Sequence, residues 1–158
     1  MASFNVKILG VDAIIKKFEQ APQSMATQSI AIIDDTVNEI ARSAKNKAAN
    51  LPVINPNSKY KRTGNLSKSI RAIRYKNGEG ASVVAGSASV KYAPYVEFGT
   101  GTGFQIDAYP SINLNDVENY AHQFKMGNRS NMPYRPYMFN SYSDAFGKMI
   151  NKLKNIKL

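Results

Sequence analysis

Residues 69–85, SIRAIRYKNGEGASVVA, read as two short strands joined by a tight turn. SIRAIRYK (69–76) and ASVVA (81–85) carry the β-branched residues. Asn77-Gly78-Glu79-Gly80 between them supplies the Asn and Gly that tolerate positive φ. Upstream, Ala26, Ile30, Ile33, Val37, Ile40, Ala44 and Ala48 recur at spacings of three and four. That periodicity predicts one amphipathic helix over residues 22–49, with Pro22 in its first turn. Its opposite face carries Asp34, Asp35, Asn38, Arg42 and Lys45, all expected to meet solvent. Downstream, Phe139, Tyr142, Phe146, Met149, Ile150 and Leu153 mark the apolar face of a last helix, which Pro136 opens. The expected architecture is α+β: a small, mostly antiparallel sheet packed against the long N-terminal helix and the C-terminal helix.

The remaining segments fit around this frame. FNVKIL (4–9) alternates as a strand, and Val11, Ile14, Ile15 and Phe18 suggest a short helix. LPVINPNSKYKR (51–62) reads as an exposed loop, and Thr63 as the N-cap of a helical turn through Lys68. Gly86-Ser87-Ala88-Ser89 is a second turn. Pro94 fits the first turn of a short helix carrying Tyr92, Tyr95, Val96 and Phe98, which Gly99 closes. From about 102 to 131 the pattern weakens into an inserted loop, with one helix suggested by Leu114, Val117, Ala121 and Phe124. No repeat interrupts residues 1–158, and 158 residues suit a single domain.

Composition narrows the function. With 43% apolar and 20% charged residues the chain is an ordinary globular one. It has no Cys, so disulfides, thiolate metal sites and Cys nucleophiles are excluded. No apolar run is long enough for a membrane-spanning helix, and MASFNVKILG lacks the pattern of a signal peptide. The net charge of +10 suggests an anionic partner, and it is unevenly placed. From Ala41 to Gly78 there is no acidic residue and there are ten basic ones. They are Arg42, Lys45, Lys47, Lys59, Lys61, Arg62, Lys68, Arg71, Arg74 and Lys76. Such a band suits sequence-independent, salt-dependent phosphate contact. No base-reading helix accompanies it, which argues against sequence-specific recognition.

Catalytic signatures are missing. Gly99-Thr100-Gly101-Thr102-Gly103 has neither the strand–helix context of a dinucleotide loop nor the Lys of a P-loop. His122 is the single histidine, with no nucleophile elbow and no ligand spacing near it. No metal, cofactor or catalytic residue is expected. The aromatic residues group more tellingly. Tyr92, Tyr95 and Phe98 surround Glu97, while Tyr134, Tyr137, Phe139 and Tyr142 follow or flank Arg135. Tyr and Arg are enriched at protein interfaces. Glu97 and Arg135 offer a pair within one chain or between two.

Three segments, KRTGNLSKSIR (61–71), YAPYVEFGTG (92–101) and MPYRPYMFNSY (132–142), together resemble the tail-completion or neck proteins of long-tailed, double-stranded-DNA bacteriophages. The resemblance implies a non-enzymatic virion protein at the head–tail junction, made in the host cytoplasm. It implies a ring, commonly hexameric, that completes the tail and joins it to the filled head around the DNA channel. Other neck proteins and tail-tube or terminator proteins would adjoin it, with transient contact to genomic DNA and none to membrane. On that reading Tyr92, Tyr95, Glu97 and Phe98 form one subunit patch, and Arg135 and Tyr137 belong to the other. Lys59, Lys61, Arg62, Lys68, Arg71, Arg74 and Lys76 would face the channel. Glu97→Lys would then block head–tail joining and leave the monomer folded. A tail-terminator ring, or a free non-specific nucleic-acid-binding protein, are the alternatives.

Overall fold

The computed structural model describes residues 4–7, 23–52, 63–75, 80–99 and 135–156. The expected helix at 11–18, most of the 51–62 loop and the 102–131 insertion with His122 lie outside the described residues. So do Lys59, Lys61, Arg62 and Lys76.

In chain order the elements are β1 (Phe4–Lys7), α1 (Gln23–Ala49), α2 (Asn65–Ser69), β2 (Arg71–Arg74), β3 (Ala81–Ala85), α3 (Ala93–Phe98) and α4 (Tyr137–Lys154). The strands form one antiparallel sheet in the order β1-β3-β2. Phe4 stands opposite Ala85, and Arg71 opposite Val84. The hairpin is closed by the Tyr75 amide, which donates to the Gly80 carbonyl at 3.0 Å. The expected α+β architecture is thus the observed one, with strand 69–76 shortened to 71–74 because Ser69 ends a helix.

The core lies around α1, which packs against both α4 and β3. Ala81, Val83 and Ala85 join Ile33, Val37, Ile40, Ala44, Ala48, Met138, Tyr142, Ala145 and Met149 in it. Burying a side chain the size of Ile40 or Met149 stabilises the fold by about 1.5–3 kcal/mol. The helices run antiparallel: Ser43 lies opposite Ser141 and Glu39 opposite Lys148. Two ion pairs edge the seam, Lys47 with Asp144 at 2.8 Å and Lys148 with Glu39 at 2.7 Å. The Lys148 ammonium, hydrogen-bonded to Glu39, holds that carboxyl below its ordinary range.

The apolar stripe of α1 differs from its periodic reading at the N-terminal end. Ile30 is 45% exposed and Ala26 half-buried, whereas Met25, Ser29, Thr36 and Ala41 are buried. Ile30 stands about 100° around the helix from buried Ser29, and at this end the covered face runs through Met25, Ser29 and Ile33 rather than through Ala26 and Ile30. Ser29 and Thr36 tolerate burial because their hydroxyls donate to the Met25 and Ile32 carbonyls one turn back.

Candidate functional site

Two corners hold this fold together, and they are built from the motif segments. The first is Thr63 to Ile70. Gly64, at φ 70, is the residue that caps α2, rather than Thr63, because the chain turns through the left-handed region where glycine has no side chain to clash. Thr63 Oγ1 still accepts the Asn65 amide, at 3.4 Å. Leu66 and Ile70 are buried in the core. Ser67 donates to the Lys45 carbonyl at 3.0 Å, which ties α2 to α1. Ser69 Oγ donates to Leu66 at 2.7 Å and accepts the Gly86 amide at 3.0 Å, which ties α2 to the end of β3.

The second corner joins α3 to the start of α4. A helix leaves its first amides without intrahelical partners. Pro136, the N-cap of α4, supplies no side-chain acceptor. Glu97 supplies it instead. Its Oε2 accepts the Met138 amide at 3.0 Å and its Oε1 the Phe139 amide at 2.9 Å. The side chain is fully buried. Burial pushes its carboxyl up to about 8, against the opposing pull of the Met138 and Phe139 amides and of the Lys47 charge. The Arg135 amide donates to the carbonyls of Val96, at 3.0 Å, and Glu97. The Tyr137 hydroxyl donates to the Ala93 carbonyl at 3.4 Å, and burial raises that hydroxyl above the ordinary tyrosine range. Phe98 and Phe139 rings pack 5.7 Å apart. Gly99, at φ 69, ends α3 as expected.

This placement corrects part of the expected subunit patch. Glu97, Phe98 and Tyr137 are buried within the chain's own core and present no surface to a second copy. Glu97 spends its carboxylate on backbone amides. Tyr92 stays at the surface, 43% exposed, with Tyr95 and Arg135 half-buried near it. Sequence reasoning overlooked the cap because donor and acceptor lie 41 residues apart. The available signal was a lone acid in the short apolar helix APYVEF, paired with a later helix opened by Pro without a capping side chain.

The expected basic band does not share one face among the described residues. Cross-strand register puts Arg71 with Val84 on one face of the sheet. It puts Arg74 with Ala81 on the other, towards α1, where Arg74 pairs with Asp34. Asp34, expected in solvent, is therefore engaged. Lys68 on α2 is exposed, beside the Ser67–Lys45 link, and Arg42 and Lys45 are exposed on α1. No group of three or more His, Cys, Asp or Glu residues that could hold a metal occurs among the described residues. No described helix is long and apolar enough to cross a membrane.

A family model described as "Bacteriophage HK97-gp10, putative tail-component" matches residues 12–99, more than half of the chain. No curated protein and no solved structure matches.

Proposed function

The chain belongs to the HK97-gp10-like family of bacteriophage tail components, and from that premise we propose that it is a structural protein of the phage neck. As a tail component it is part of the virion and associates with other phage structural proteins. The proposed role is a ring that completes the tail and joins it to the DNA-filled head around the channel. It involves no catalysis.

The family match over residues 12–99 carries this reading. That span includes α1, the Thr63–Ile70 corner, the hairpin and α3 with Glu97. The surface charge supports it. Arg42, Lys45, Lys68 and Arg71 are exposed cations, and the last two belong to the band that would face the channel. Isolated lysines and arginines on a rigid frame give weak phosphate contacts that do not depend on base sequence. A conduit for a moving genome needs that weakness.

The test is mass spectrometry of purified virions of the source phage, with copy number calibrated against the portal protein. Copies at about six or twelve per particle are expected for a closed ring of cyclic symmetry. A chain that is missing from the particle overturns the structural reading and favours a free nucleic-acid-binding protein. A copy number in the hundreds overturns the neck position and makes the chain a tube component.

A further inference from the structure

We infer that the outer edge of β2 takes an added strand, an extended acidic segment of another virion protein; this rests on the family membership and not on the ring. In the order β1-β3-β2, β2 is an edge strand, and among the described residues nothing pairs with its outer side. The register says which backbone groups stand open there. The Tyr75 amide donates to the Gly80 carbonyl opposite it, so that pair is a hydrogen-bonded one. Antiparallel pairs alternate, so Ile73 with Ser82 and Arg71 with Val84 are hydrogen-bonded pairs too. Ala72 and Arg74 therefore direct their amides and carbonyls outward, away from β3. Arg71, Ala72 and Arg74 are exposed and Ile73 is half-buried, so the edge is open to approach.

That pattern selects its occupant. Open amides and open carbonyls alternate along the edge. A phosphate satisfies the amides but is repelled by the carbonyls, whereas an extended peptide meets both. Charge narrows the choice. Lys68 and Arg71 are exposed cations without an ion pair among the described residues, and no acidic residue occurs from Ala41 to Gly78. The chain's own strands suit this edge poorly. β1, FNVK, and β2, RAIR, carry cations and no acid, so a second copy sets like charges across the ribbon. β3 already has two neighbours. A segment with Asp or Glu at alternate positions, which share one face, matches the open backbone and Arg71 together. In the particle this puts Arg71 at the joint, beside the channel band; in the isolated chain it stays open to phosphate.

The test compares purified virions of the source phage with the free chain. Hydrogen exchange is read at the Ala72 and Arg74 amides in both. Zero-length carbodiimide cross-linking is read in virions carrying Arg71→Lys, which keeps the charge at an exposed position. Exchange at both amides is expected to be slower in the particle by about tenfold or more. A covalent link is expected from position 71 to an Asp or Glu of another structural protein, identified by mass spectrometry of the joined peptides. Equal exchange in particle and free chain overturns the added strand, whatever links form. A link to a second copy of this chain overturns the foreign partner. Slow exchange with no intermolecular link overturns the acidic character of the segment. Both expected results at a copy number in the hundreds uphold the added strand and overturn the neck position alone. A chain missing from the particle overturns this inference and the virion reading together.

Discussion

Glu97 Oε2 stands 3.0 Å from the amide nitrogen of Met138, so a side chain on α3 caps a helix that starts 40 residues further along the chain. With the Phe139 amide on Oε1, this carboxyl helps to hold α3 against α4 and satisfies amides that the proline at the N-cap leaves without a side-chain acceptor. Glu97→Ala removes both acceptors from buried donors. A missing cap and stranded amides cost about 3 kcal/mol together. A fall of that size in urea-unfolding free energy is expected. A change within error would mean that other acceptors replace Glu97. Glu97→Lys sets a cation against the same amides in a closed site, so the variant fails to fold, contrary to the expectation for an exposed interface residue.

The same carboxyl makes stability depend on pH. Its pKa is raised from 4.5 in the ordinary state to about 8 in the folded one. Between those values the folded chain keeps a proton that the unfolded chain has released. Stability therefore falls as pH rises through this window, by at most about 1.4 kcal/mol per pH unit, and levels off above it. Glu39 is lowered, so its contribution is lost only below pH 4.5 and does not interfere. Glu97→Gln cannot titrate. Urea midpoints of the wild type should decline between pH 5 and 8 relative to those of Glu97→Gln. Parallel pH profiles for the two proteins would show that Glu97 does not titrate in that range.

Much of this frame was readable from residue order. The α1 and α4 helices, the hairpin and the Gly99 stop followed from periodicity and turn chemistry, which are local. What periodicity missed was set by side-chain hydrogen bonds, by the covered face of α1 and by distant partners. Ser29, Thr36 and Ser141 are buried because their hydroxyls find carbonyls one turn back. Ile30 obeys the apolar spacing, but the covered face at that end of α1 runs through Met25, Ser29 and Ile33 instead. Phe98 and Tyr137, grouped with interface aromatics by composition, are core residues because Glu97 and Arg135 bring α3 onto α4. A lone buried acid and a helix lacking its own cap are legible only as a pair.

Ser69 tests the other corner. Its Oγ donates to Leu66 and accepts the Gly86 amide, so it links α2 to the far end of β3. Ser69→Ala strands a part-buried amide at the strand end. The expected loss is about 1–2 kcal/mol, with a larger rise in hydrogen exchange at Gly86 than within β3. Unchanged protection at Gly86 would show that the hydroxyl is dispensable.

The basic residues of β2 separate by partner. Arg74 pairs with Asp34, although its side chain is 70% exposed, while Arg71 projects from the opposite face without an ion pair among the described residues. An exposed pair of this kind is worth less than about 1 kcal/mol to stability, so Arg74→Gln barely shifts unfolding. Its charge is already partly spent on a carboxylate. The paired cation therefore contributes less to phosphate binding than Arg71 or Lys68. Retention on duplex-DNA resin, read as a function of salt, should weaken more for Lys68→Gln with Arg71→Gln than for Arg74→Gln. The logarithmic salt slope of the double variant should drop by about two, one for each cation withdrawn from a phosphate. Equal weakening for all three residues would mean that the Asp34 pair opens whenever DNA is present, and would return Arg74 to the channel-facing set.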